Sequence, residues 1–197
     1  MRTRSLLLIA TLVSGISGMA QAQSPSSAPV QAPQPAGRQD ILDELFQRLE
    51  KTRDADEAKG ISGAIERVWM RSGSDTADLL MERASTIIRQ KDWKLAEDLL
   101  DRLIEIEPQW AEVWNKRATV RFFADDSSGA MEDLAHVLQL EPRHFTALVG
   151  VGVILEKTER NAEALRVFRR ALEINPQLDE VRAKVEKLTI TVEGRDI

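Results

Sequence analysis

From about position 40 onward, apolar residues recur at intervals of three and four, in blocks of roughly a dozen residues separated by short polar breaks. The blocks come in pairs. The first pair carries Ile41, Leu42, Leu45, Phe46 and Leu49, then Ala58, Ile61, Ile65, Val68 and Trp69, which predicts helices over 40–50 and 55–71. Three more pairs follow, broken at 91–93, 125–128 and 159–161. A last charged block over 178–191 keeps Val181, Val185 and Leu188 on one side. The expected fold class is all-α.

The prolines supply a period. Pro25, Pro29, Pro33 and Pro35 cluster near the N-terminus, whereas Pro108, Pro142 and Pro176 stand 34 residues apart, each placed to end a helix and begin a turn. On that ruler Leu80, Trp114 and Leu148 fall in one column. Ala84, Ala118 and Gly152 fall in the next, followed by Ala96, Ala130 and Ala164, then Leu100, Leu134 and Phe168, then Ile104, Leu138 and Leu172. Small residues in fixed columns let helix backbones approach closely. One pair cannot bury its own apolar stripe, so units of this period must stack.

A large residue, a small one four later, then Ala, an aromatic or Leu, and a closing Pro resembles the tetratricopeptide repeat family over Ala77–Leu178. The resemblance implies a helix-turn-helix solenoid of antiparallel pairs with units over 77–110, 111–144 and 145–178. A degenerate or capping hairpin over 39–76 would precede them, and a capping helix with a loose tail over 179–197 would close the stack. Asp75 is the expected N-cap of the first clear helix. In such a solenoid the first helices line a concave groove. By that resemblance the partner-binding stripe is Met81, Ser85, Ile88, Asn115, Thr119, Phe122, Val149, Val153 and Glu156, flanked by Phe123, Arg89 and Lys157. Met81, Ser85, Thr146 and Gly150 stand where an acidic-tail-binding member would carry its clamp. The groove is therefore expected to take an apolar or amphipathic peptide; the alternative is that these residues pack against the C-terminal helix or a second copy. Arg83 and Arg117 share a column, and the resemblance implies a structural ion pair of Arg117 with Asp133, with Arg83 turning to Asp98 or Asp101. The corner Glu141-Pro142-Arg143-His144-Phe145 is either a turn anchored by Phe145 or a partner contact through Arg143 and His144.

The N-terminus reads as an address. Arg2 and Arg4, the apolar run Leu6 to Ile16, and Ala20-Gln21-Ala22 make a Sec-type signal peptide over 1–22 cleaved after Ala22. The run is short of the ~20 residues that span a bilayer, although an uncleaved anchor is the alternative. Cleavage would take the net charge from -5 to -7 by removing two arginines, and export implies the periplasm. Residues 23–38 are rich in Pro, Ser, Ala and Gln and are expected to be a disordered linker. Together with Trp114 to Thr119 and the Glu-Pro-Arg-His-Phe corner, this looks like exported tetratricopeptide proteins of Gram-negative bacteria, a resemblance that implies a role in the cell envelope.

Composition removes other classes. With no Cys there is no disulfide, thiolate nucleophile, cysteine-held zinc or lipidation site, and an acidic balance disfavours nucleic acid as partner. Asp125 and Asp126 are adjacent in a turn, Gly150-Val151-Gly152 lies within a helical block, and His136 has no second His one turn away. No metal, cofactor or catalytic residue is expected. The expected function is a non-catalytic periplasmic adaptor for a protein or peptide of the envelope machinery, not stably inserted in a membrane after cleavage, with homodimerisation open. The alternatives are an accessory subunit of a cell-wall enzyme or a holdase-like chaperone.

Overall fold

In a computed structural model the described residues, 36–194, form the helices α1 (Ala36–Lys51), α2 (Ala55–Trp69), α3 (Asp75–Arg89), α4 (Trp93–Ile106), α5 (Ala111–Phe123), α6 (Ser127–Leu140), α7 (Phe145–Lys157), α8 (Asn161–Ile174) and α9 (Asp179–Val192). The expected signal peptide and most of the linker lie outside the described residues. No strand occurs among those described.

The same local chemistry closes the first helix of every unit. Lys91, Asp125 and Glu159 adopt φ of 61°, 63° and 60°, the left-handed conformation that ends a helix. The following amides, of Asp92, Asp126 and Arg160, donate back to the carbonyls of Ile87, Arg121 and Leu155. Asp92 and Asp126 then cap the second helices, their carboxylates accepting from the Leu95 and Gly129 amides. Each second helix stops two residues before Pro108, Pro142 or Pro176, since a proline can neither donate to the helix nor leave its predecessor helical.

Small residues set the spacing between helices. Ala84, Ala96, Ala130 and Ala164 are fully buried. At Gly152 an added Cβ would lie 2.4 Å from Cε1 of Phe168, so the glycine makes room for the Phe168 ring. At the C-terminal end Val181 and Leu188 of α9 join Leu155, Leu165 and Phe168 in one cluster. Glu193, expected in a loose tail, is held by Arg169 at 2.7 Å.

Three local expectations are corrected. Ser74, not Asp75, caps α3, its hydroxyl accepting from the Ala77 amide. Asp75 is the first helical residue, where its charge complements the helix dipole. Residues 36–38, expected in the linker, are the first turn of α1, and Arg38 Nη2 donates to the Trp69 carbonyl at 3.3 Å.

The third correction concerns the α1–α2 hairpin, which does not stack ahead of α3 as a cap. Its stripe, including Leu42, Phe46, Ile65 and Trp69, closes instead over Phe145, with Ile174 and Leu178 packed beside it. Trp110 Nε1 donates to the Trp69 carbonyl at 2.7 Å, Arg143 reaches Asp43 at 2.7 Å, and Asn175 Nδ2 donates to Ser62 at 3.0 Å. The hairpin therefore straps the corners of all three units. Those corners carry Trp110, Phe145 and Ile174, large apolar groups that need cover. Its link to α3 is the turn itself, where Ser72 donates to Asp78 and Met70 meets the α3–α4 core.

Candidate functional site

With the hairpin fixed on the corners, the C-terminal end of α2 comes up to the first helices α5 and α7, and a cleft of two chambers lies there. An apolar chamber of about 130 Å³ is formed by Ala118, Phe122, Leu134, Gly150, Val153 and Ile154. A polar one of about 300 Å³ lies among Glu66, Trp69, Met70, Glu112 and Lys116. Asn115, Thr119 and Thr146 line both. An added Cβ at Gly150 would stand 3.1 Å from Leu134 Cδ1; without it, Leu134 contributes to the apolar wall. Lys157 Nζ sits 5.0 Å from the centre of the Phe122 ring and pairs with Asp125 at 3.0 Å.

The polar chamber is organised from the corner. His144 is fully buried and lies flat on Trp69, ring centroids 3.9 Å apart. Its Nδ1 accepts from the Ala147 amide and so caps α7, which places the imidazole proton on Nε2, 3.1 Å from Glu112 Oε2. Lys116 Nζ and Asn115 Nδ2 complete the shell around Glu112 at 3.0 and 3.1 Å. Burial works against the charge on Glu112, but the bond from His144 and the nearby Lys116 outweigh it and hold its carboxyl below the ordinary carboxylate range. Across the chamber, burial and the charge of Glu112 push the Glu66 carboxyl up.

The expected groove residues divide three ways. Asn115, Thr119, Phe122 and Val153 line the cleft. Met81, in the column of Asn115, does not; it is 1% exposed and packs among Leu100, Leu103 and Trp110. A long apolar side chain gains more there than at a polar rim. Ile88 packs against the same core and Ser85 is partly buried, its hydroxyl without a hydrogen-bond partner among the described residues. Val149 belongs to the cluster that holds α9, and Glu156 binds Lys184 of α9 at 2.6 Å. These two residues thus serve the C-terminal helix. Phe123 stacks on Trp93, centroids 5.3 Å apart, and Arg89 bonds the Thr86 hydroxyl.

Beneath the cleft, Arg117 donates from Nε and Nη2 to both Asp133 oxygens at 2.9 and 2.6 Å, and from Nη1 to Asp101 at 2.8 Å. Arg121 reaches Asp133 at 3.1 Å and Glu97 at 2.9 Å. Burial opposes the charge on Arg117, yet the bonds to Asp133 and Asp101 raise its pKa. Asp101 is thus taken by Arg117 and Asp98 by Lys94, so the expected pairing of Arg83 with either does not form. Among the described residues no group of three or more acidic or imidazole side chains is placed to hold a metal ion. No described helix is long and apolar enough to cross a membrane.

A tetratricopeptide repeat family model matches residues 115–179. A TPR repeat-containing protein of Rhizobium etli is 39% identical over 153 residues, covering 78% of this chain and 75% of that protein. The chain belongs to the tetratricopeptide repeat family. Among solved structures, the MamA protein superposes on this TPR chain with a TM-score of 0.56 at 14% identity, covering 82% of this chain and 86% of that one. The first TPR domain of Spaghetti (RPAP3), solved with an HSP90 peptide, gives 0.56 at 20% identity over 59% of this chain and 93% of that domain. At these identities the likeness is one of fold. The TPR fold is in general a scaffold for protein–protein interaction.

Proposed function

We propose that this TPR chain is a non-catalytic adaptor that holds an apolar or amphipathic segment of a protein partner in the cleft between α2, α5 and α7. The observation that carries this reading is the pairing of an apolar chamber with a polar one through the shared rim of Asn115, Thr119 and Thr146. At about 130 Å³ the apolar chamber is close to the size of a cavity that admits one benzene-sized group. The rim amide and hydroxyls can bond the backbone beside such an anchor. TPR neighbours of similar fold were solved with the peptides SRMEEVD and SGPTIEEVD, which supports a peptide as occupant. Here Lys116 is committed to Glu112, and Glu66 stands beside it, so the cleft favours an apolar anchor over an acidic tail.

Selection of a phage-displayed peptide library on the full chain tests this. The selected peptides share an apolar anchor, and calorimetry shows their affinity falling tenfold or more with Phe122→Asp, since one buried apolar side chain contributes roughly 1.5–3 kcal/mol. Peptides that bind Phe122→Asp and Val153→Asp unchanged place the site elsewhere. The N-terminal pattern of Arg2, Arg4, the apolar run and Ala20-Gln21-Ala22 supports export, so the adaptor works in the periplasm on a component of the cell envelope. N-terminal sequencing of the fractionated protein should then find Gln23 first; an intact Met1 in the cytoplasmic fraction contradicts it.

A further inference from the structure

The repeat lattice provides a template for what belongs on its uncovered end. Within the stack, α4 covers α5: Val113 is fully buried, Arg117 takes Asp101 at 2.8 Å and Arg121 takes Glu97 at 2.9 Å. The residues of α3 one period earlier stand in the same columns, but among the described residues no helix precedes them in the stack, because the α1–α2 hairpin lies on the corners. Leu79, in the column of Val113, is consequently 66% exposed, and Leu95 of α4 is 50% exposed. Between α3 and α4 lies an open cleft of about 370 Å³, formed by Leu80, Ile87 and Leu99 with Arg83, Asp98 and Arg102. Arg83 stands in the column of Arg117. Neither it nor Arg102 has an ion-pair partner among the described residues, while Asp98 is engaged by Lys94 at 2.5 Å. A terminal repeat normally presents a polar outer face; this one presents leucines and unpaired guanidinium groups.

We propose that this end face docks an amphipathic, acid-bearing α-helix of a partner protein, which continues the stack as α4 continues it over α5. Its apolar stripe covers Leu79, Leu80, Leu95 and Leu99, and a carboxylate meets Arg83 as Asp101 meets Arg117. Charge selects this occupant. Residues 1–35 contain no Asp or Glu, so the N-terminal segment cannot supply the carboxylate. A second copy of the same face would bring Arg83 and Arg102 toward their own like charges, with its Asp98 already engaged.

The probe is a lactam-stapled, fluorescein-labelled peptide with the α4 sequence 92–107, which in the native stack already offers Glu97 and Asp101 to arginines of the next helix. Fluorescence anisotropy with the full chain should give saturable binding. Arg83→Glu and Leu79→Asp should each weaken it tenfold or more, and a peptide carrying Asp101→Lys should restore binding to the Arg83→Glu protein. Both substituted residues are exposed, and circular dichroism checks that the variants stay folded. No saturable binding, or binding indifferent to both variants, overturns the proposal. So does light scattering that shows a dimer of the full chain made monomeric by Leu79→Asp, which assigns the face to a second copy.

Discussion

Asp133→Asn removes one charge at constant shape from the centre of the network that ties α4, α5 and α6 together. Asp133 is 2% exposed and accepts three bonds from two guanidinium groups. A hydrogen bond to a charged group nets about 1.5–3 kcal/mol, and deleting one partner of a buried ion pair costs about 3–5 kcal/mol. Arg117 keeps Asp101 and Arg121 keeps Glu97, both carboxylates open enough to water to be partly screened. These residual partners put the expected cost near the lower bound, about 3 kcal/mol. For a chain of this size that corresponds to a fall in Tm of about 6–12 °C. Urea unfolding followed by circular dichroism gives the value directly. The double variant Arg117→Met with Asp133→Leu removes both sides of the pair and fills the space with apolar groups, so it costs much less than the two single changes together. A loss under about 1 kcal/mol for Asp133→Asn, or strict additivity in the cycle, refutes the reasoning.

The remaining expectations are briefer. Gly152→Ala drives a methyl into the Phe168 ring and destabilises by about 1–3 kcal/mol; a neutral urea midpoint contradicts that packing. Trp69→Ala empties the junction of His144, Phe46 and Phe145, and hydrogen exchange should show α1 and α2 losing protection while α5 to α8 keep theirs; uniform loss would mean that the hairpin is not a separable strap. Glu112, held below the ordinary carboxylate range, contributes stability present above about pH 4.3 and lost as pH falls through its folded value, so Glu112→Gln flattens the acid limb of the stability curve. Glu66 has the opposite sign: its carboxyl is pushed up, its stabilising share declines as pH rises through the folded value, and Glu66→Gln raises stability at about pH 7 with the gain vanishing below about pH 4. Urea midpoints across that range that respond identically in both variants contradict the assignment.

Much of this architecture is legible in the chain because the repeat is written in side-chain size. The 34-residue spacing of Pro108, Pro142 and Pro176 and the Ala84, Ala118, Gly152 column fix units, turns and close packing. The column shared by Arg83 and Arg117 also points to Asp133, since its acid stands on the second helix of the same unit. The location of the α1–α2 hairpin is not legible. Its apolar stripe suits α3 as well as the corners, and the choice rests on how Trp69 fits His144 and Phe145, far along the chain. Half of the cleft follows from that placement, so Glu66, Trp69, Met70, Glu112 and Lys116 escape a reading of periodicity. The one available signal is the corner itself, where His144 stands two residues after Pro142 and directly before a helix. Nor does column position decide facing: Met81 and Asn115 are equivalent by spacing, yet the thioether enters the core and the amide turns to Glu112.

The central claim is that a protein partner lies in the cleft between α2, α5 and α7. In-cell photo-crosslinking from Phe122 and Val153, with exposed Glu132 of α6 as the control position, tests it most directly. One dominant protein adduct from both cleft positions and none from Glu132 is the predicted result. The same adducts from Glu132, or self-adducts alone, would contradict it.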